Sequence, residues 1–490
     1  MCCATPGRMR AVHARFYASG KRASNAVKLS TSIRKDGREW DMLQKQEHLY
    51  GTMFTSGQVL VERHGAETEA LVEGLRLQWS YGFPFTPKDV PVLTHAFHPY
   101  PAGMQPATAR HLLMTILPGE AVLDPFVGGG TVIVEAMRAG RLGMGSDISP
   151  LALFVSRGRT WTTSASGLDD LRKASRCICA AAGNKLVDAN ARQIRGKDWD
   201  VIKSEINAYL NVRPEERSSL RDALWFVCAV AASRAAKLRR RIGRNIVANE
   251  FFHSVCVEYA GAVGRLTQAA IEGAAPALPQ KPIIIRRDAR TVGVSRDAFA
   301  DSEEQGTDSR EKVQVSGDFH AVLTSPPYPG VYDYLAHARQ TRSGLGKMAQ
   351  QGGQKSSASL FVESHVPTGR DWSEVWTSGE IGSKQRIRKA RRREANSGEE
   401  SSREIEWQRD QRDWLAATSS ALKIGGRICI LIGDGDGVDT RSSILKTVGE
   451  LQEQNAMAPL ELVGWATLKA AEGTRRNMRT EHLLLLEKKK

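Results

Sequence analysis

The sequence predicts an α/β protein with one mostly parallel sheet and helices on both of its faces. Two observations carry that expectation. Short apolar runs that end in an acid or a turn alternate with segments of helical periodicity, and the first of these runs leads through a glycine-rich turn into a helix. Strands covered on both sides read as continuous apolar runs, and helices packed on both faces supply that cover. The 490 residues leave room for about three domain-equivalents at roughly 150 residues each.

In chain order, residues 1–35 carry Arg8, Arg10, Arg15, Lys21, Arg22, Lys28, Arg34 and Lys35 and no acid. An Arg-rich, acid-poor, Ser-bearing leader reads as an organellar transit peptide or as a disordered basic arm. Arg15–Ser19 (R-F-Y-A-S) resembles a mitochondrial processing site. An intracellular location is expected, in the mitochondrion if the leader acts and in cytoplasm or nucleus otherwise. Residues 36–95 form an N-terminal extension without a recognisable module. Residues 96–150 open the core. Glu120–Asp124 is a strand, Pro125–Thr131 (P-F-V-G-G-G-T) a turn, Val132–Met137 a short helix ended by Gly140, and Arg141–Asp147 a second strand.

Residues 151–280 read as a helical insertion, in which Leu220, Leu224, Val227, Ala231, Ala235 and Leu238 share one face. Residues 281–335 return to the core with strands at Pro282–Arg286 and around Ala321–Leu323. Residues 336–404 are rich in Gly, Ser and Gln and read as a flexible basic insertion. Residues 405–490 complete the core. Trp407, Trp414, Leu415 and Leu422 recur at helical spacing, and strands follow at Arg427–Ile432, Leu460–Leu468 and Glu481–Glu487, seven in all.

The longest apolar run near the middle, Leu224–Ala232, is far below the ~18 residues of a membrane span. Seven scattered cysteines without a C-x-x-C pair indicate neither a disulfide framework nor a zinc ribbon. The histidines show no zinc spacing, and Asp434–Gly437 (D-G-D-G) reads as a strand-end loop, so no metal is expected. A formal charge of +15 favours a polyanionic partner. Two basic runs, Lys237–Arg244 with Arg239 and Arg240, and Lys384–Arg393 with Lys384, Arg386, Arg388, Arg391 and Arg392, are candidate nucleic-acid contacts or else solvated faces. The glycine turn fits neither a dinucleotide fingerprint, which needs a glycine where Val132–Val134 stand, nor a P-loop, which needs G-K-[ST].

Asp124-Pro125-Phe126-Val127-Gly128-Gly129-Gly130-Thr131 resembles the S-adenosylmethionine loop of the amino-group nucleic-acid methyltransferases. Thr324-Ser325-Pro326-Pro327-Tyr328 resembles their second signature, in the Ser-Pro-Pro-Tyr form frequent among cytosine-N4 DNA enzymes. In the same order along the chain, Phe97–Ala102 (F-H-P-Y-P-A), Gly145–Pro150, Arg287–Arg290 and Pro329–Tyr334, with Glu380–Gly382, resemble further elements of that family. The resemblance implies a Rossmann-like class I methyltransferase fold, S-adenosyl-L-methionine as cofactor and DNA as partner.

It also implies roles. Asp124, Phe126, Gly128, Gly130 and Thr131 would line the cofactor, with Ile148 packing around it. Asp147, ~20 residues past the loop, would accept the ribose hydroxyls, and Asp288 the adenine amino proton. Ser325 Oγ and the Pro326 carbonyl would accept hydrogen bonds from an exocyclic amine, Pro327 would stiffen the turn, and Tyr328 would stack on a base flipped out of the duplex. Ser325 in place of an acid favours cytosine N4 over adenine N6. An RNA base N-methyltransferase can use the same two loops, and a nucleic-acid-binding pseudo-enzyme can use the same scaffold.

Overall fold

The computed structural model describes residues 59–80, 92–98, 100, 103–188, 197–242, 247–274, 280–292, 319–331, 381–382, 392, 402–453, 460–470 and 480–489. The basic leader 1–35, nearly all of the insertion 336–404 and residues Lys384, Arg386, Arg388 and Arg391 lie outside that set.

Among the described residues the core is one sheet of eight strands: β1 (Val59–Gly65), β2 (Ala121–Asp124), β3 (Leu142–Asp147), β4 (Ile283–Arg286), β5 (Phe319–Thr324), β6 (Leu422–Gly433), β7 (Leu460–Ala470) and β8 (Thr480–Lys488), in the spatial order β1-β7-β8-β6-β5-β2-β3-β4. From β4 to β6 every neighbouring pair is parallel; β6–β8, β8–β7 and β7–β1 are antiparallel. This is the Rossmann-like arrangement expected, with one correction. The seven expected strands are all present, and an eighth, β1, comes from the extension, in which no module is recognisable from the sequence. It is an edge strand and is exposed along most of its length, so its sequence (V-L-V-E-R-H-G) lacks the apolar run or alternation that marks a buried strand.

The central strands are apolar because both faces are covered. Leu483 and Leu485 of β8 enter one core with Val122, Leu323 and Leu431, while Leu484 and Leu486 enter the opposite core with Leu123, Val322 and Ile430. That split follows from side chains alternating across a strand. The first face is covered by α1 (Thr68–Ser80), α2 (Pro106–Thr115) and part of α3 (Thr131–Arg138). Leu71, Leu75 and Trp79 of α1 recur every four residues and are all buried. The second face is covered by the helices Ser402–Ala421 and Thr440–Glu453, through Trp407, Trp414 and Ile444.

Between β3 and β4 run α4 (Pro150–Thr160), α5 (Ala165–Asp188), α6 (Lys197–Asn211), α7 (Pro214–Ile242) and α8 (Ala248–Ala274). The last four share a core of their own, and the predicted face of α7 is buried in it at Leu220, Leu224, Val227, Ala231 and Ala235. The first helix, α4, packs on β3 and β4, and Leu266 of α8 joins Ile133, Val134 and Met137 of α3, so both ends of this segment lie against the sheet. Arg239 and Arg240 occupy the last turns of α7, and nothing is described of their side chains. No described helix is long and apolar enough to cross a membrane.

Candidate active site

From β2 the chain proceeds to β3 and β4 on one side of the sheet, while β5, on the other side of β2, continues to β6. A doubly wound sheet has its ligand crevice at such a reversal, beyond the carboxyl ends of the strands. Both signature segments emerge there, Asp124–Thr131 from β2 and Ser325–Tyr328 from β5. Thr324 Oγ1 donates to Asp124 Oδ1 at 2.7 Å and joins the two strand ends directly. Asp124 is buried and also accepts from Phe126 N at 3.1 Å. Burial lifts its pKa to about 7, although both hydrogen bonds favour the charged form.

The glycine loop turns into α3 through left-handed backbone: φ is +47° at Gly128 and +78° at Gly130, which is the N-cap of α3. Glycine adopts that region without steric cost. Thr131 is the first residue of the helix and is buried. Phe126 meets Trp414 edge to face, with ring centroids 5.4 Å apart. Asp147, half-buried at the end of β3, receives Gly128 N on Oδ2 at 3.0 Å and Ser149 N on Oδ1 at 2.8 Å. Its pKa is raised to about 6 by burial, against the pull of those backbone donors, with the charge of Asp288 adding to the rise. Half-buried Ile148 follows it.

Asp288, just past β4, caps a short 3-10 turn. It takes Arg290 N and Nε on Oδ1, at 2.9 and 3.0 Å, and Arg290 Nη2 on Oδ2 at 2.6 Å. A carboxylate offers about four lone-pair sites, so Arg290 orients Asp288 without exhausting it.

Beyond the expected residues stands Arg159 of α4, fully buried. Its Nε donates to Phe97 O at 2.9 Å, Nη1 to Gly129 O at 2.8 Å and Nη2 to His98 O at 2.8 Å. One guanidinium thereby clamps the Phe97–His98 segment onto the glycine loop. His98 is held at φ +55°, a conformation that costs a non-glycine residue about 1–2 kcal/mol. Burial lowers the Arg159 pKa to about 9, which leaves it cationic at neutral pH.

On the β5 side, Pro326 is buried and Ser325, Pro327 and Tyr328 are half-buried. Gly330 N donates to Gly382 O at 3.1 Å, so the Ile381–Gly382 pair docks on this turn, with Ile381 in the core beneath. Tyr328 OH lies 3.2 Å from Oε1 of Glu481, a buried residue of β8. The other oxygen of Glu481 accepts from Trp79 Nε1 at 2.7 Å. Nearby, Asp434, Asp439 and His482 form the one described group with metal-ligand reach, but Asp434 Oδ1 already accepts from Thr440 N, Thr440 Oγ1 and His482, each at 3.0 Å. Arg392 is exposed.

Among known proteins, two Type II methyltransferases share a short stretch with the chain. M.MvaI of Kocuria varians is 39% identical over 72 residues, 14% of this chain and 16% of that protein. M.MjaII of Methanocaldococcus jannaschii is 31% identical over 85 residues, 17% of this chain and 16% of that protein. The match thus spans about a sixth of the length of these curated relatives. No protein-family model matches. Among solved structures, the rRNA methyltransferase aviRa of Streptomyces viridochromogenes aligns over 78% of this chain and 83% of its own, at 11% identity and a TM-score of only 0.27. The local likeness is to methyltransferases.

Proposed function

We propose that this protein transfers the methyl group of S-adenosylmethionine to the exocyclic amine of a base flipped out of DNA, with cytosine N4 as the acceptor. The observation that carries the reading is the meeting of two loops at one switch point, Asp124–Thr131 and Ser325–Tyr328, tied by Thr324 and Asp124. The short identity with two Type II methyltransferases points the same way.

The residues fit the cofactor. Left-handed Gly128 and Gly130 bring backbone close to the crevice, and the Asp147 carboxylate stands at the adjacent strand end as an acceptor for hydroxyl groups. Asp288, at the next strand end, faces the same side. When bound, S-adenosylmethionine supplies an electrophilic methyl on a sulfonium, so this chain needs no covalent nucleophile.

The acceptor is the harder problem. An exocyclic amine delocalises its lone pair into the ring and attacks poorly. Ser325 Oγ and the Pro326 carbonyl accept its N–H groups and so orient the lone pair. The two prolines fix φ and remove competing backbone donors. Tyr328 supplies the aromatic face for the flipped base. Rate then comes from positioning and from fixed dipoles in a site shielded from water.

The test is methyl transfer from labelled S-adenosylmethionine to unmethylated duplex DNA and to total RNA, read by nucleoside mass spectrometry. N4-methylcytosine in DNA is the expected product. N6-methyladenine would overturn the assignment of the acceptor to cytosine, and label confined to RNA would overturn DNA as substrate.

A further inference from the structure

Glu481 is an anomaly of the fold. It lies in β8, the strand whose neighbouring residues Leu483–Leu486 fill both cores, yet it is a carboxylate and 2% exposed. A buried carboxylate is costly unless donors reach it. Described donors reach both oxygens: Trp79 Nε1 from α1 and Tyr328 OH from the Ser-Pro-Pro-Tyr turn. The Tyr328 ring is also closed in from one side by Gly433 at the end of β6, where an added Cβ would stand 2.7 Å from Tyr328 Cε2. Hydroxyl and ring are thereby fixed by different strands, and the ring's direction is set before any ligand arrives.

We infer that Glu481 is the positioning residue for Tyr328, holding the ring in the orientation that receives the flipped base; this rests on the reading of Tyr328 as the stacking side chain. A ring ordered in advance loses less freedom on binding, so the tether strengthens capture of the base without touching it. Trp79 completes the arrangement. Its indole N–H donates to Oε2, while Oε1 accepts from the tyrosine. The N-terminal extension, through α1, therefore takes part in holding the acceptor side of the site.

The experiment is a double-mutant cycle in the full chain with Tyr328→Phe, Glu481→Gln and the pair. It is read as KM and kcat for unmethylated duplex DNA and as S-adenosylmethionine affinity by calorimetry. Each single change is expected to raise the KM for DNA by about three- to tenfold, the loss of one hydrogen bond. kcat should change less, and cofactor affinity should stay at the wild-type value. The pair is expected to match Tyr328→Phe alone, because Glu481 acts through the hydroxyl that this variant lacks. Effects that multiply in the pair, or a fall in cofactor affinity with Glu481→Gln, would show a merely structural carboxylate and overturn the inference while methyl transfer stands. A wild-type protein that binds no S-adenosylmethionine and labels no nucleic acid would overturn the functional reading, and this inference with it. Gly433→Ala, whose added Cβ would stand 2.7 Å from Tyr328 Cε2 and 3.0 Å from the Thr480 carbonyl, should raise the KM for DNA in the same way.

Discussion

Asp147 and Arg159 lie 19 and 30 residues along the chain from the Gly128 and Gly129 atoms they bind, whereas Glu481 lies 153 residues from Tyr328. The glycine loop is held chiefly from β3 and α4, with two longer reaches, Thr324 to Asp124 and Trp414 to Phe126. The acceptor side is assembled from Ile381–Gly382, Gly433 and β8, with α1 behind them. Closing long loops costs entropy before the contacts return anything, so the Tyr328 turn depends on more of the tertiary structure than the contacts at Gly128 and Gly129 do. Local damage should therefore fall hardest on the cofactor side, and remote damage on the acceptor side.

The largest effect is expected from Arg159→Leu. It leaves the carbonyls of Phe97, Gly129 and His98 without their shared donor and should cost about 3–5 kcal/mol, read as a fall in the urea midpoint, with cofactor binding lost. An unchanged midpoint would show that the loop stands without its clamp and would break the contrast between the two sides.

Asp147→Asn comes next. It keeps an oxygen for Gly128 N but removes the charge, and should weaken S-adenosylmethionine binding about tenfold without unfolding the protein. The ordinary carboxylate value is raised to about 6 here, so wild-type affinity should decline as the pH falls through that value and the acceptor gains a proton. The variant should show no such decline; a matching one would place the titration elsewhere.

Below about pH 4, where an amide resembles the protonated carboxyl, the smallest effect belongs to Asp124→Asn. The folded chain holds the Asp124 proton up to about pH 7, more tightly than an unfolded chain does. Its contribution to stability is therefore fully present below about pH 4 and is lost as the pH rises towards 7. Denaturation midpoints across that window should slope downward for the wild type more than for the variant. Parallel slopes would deny the bridge to Thr324 its buried character.

The same contrast explains what the sequence discloses. The glycine turn, the acid that ends β3 and the Ser-Pro-Pro-Tyr turn are contiguous patterns, legible because each residue type does its work beside its neighbours. Seven strands were legible because burial on both faces writes runs such as Leu483–Leu486 into the chain. Arg159 looks like any basic residue in the last turn of a helix, and only the topology of β2 and β3 aims it at three carbonyls. Glu481 gives no sign of its partner, because Trp79 and Tyr328 are remote in sequence from it and from each other. The exposed edge of β1 erases the pattern that marks the buried strands. In α1, Leu71, Leu75 and Trp79 carry a readable spacing, and that was the one signal in the extension.

The position of β8 has a consequence for how each molecule comes into being. It lies between β6 and β7 in the sheet although it follows both in the chain. As the polypeptide is synthesised from its N-terminus, those two strands therefore wait with facing edges unpaired, a stage at which sheets are open to wrong partners. The described partners of the glycine loop, Asp147, Arg159, Thr324 and Trp414, all precede that point in the chain. The grip on Tyr328 arrives only with Glu481. The tether on the Tyr328 hydroxyl thus forms later than the contacts of the glycine loop, with the same strand that seals the sheet between β6 and β7.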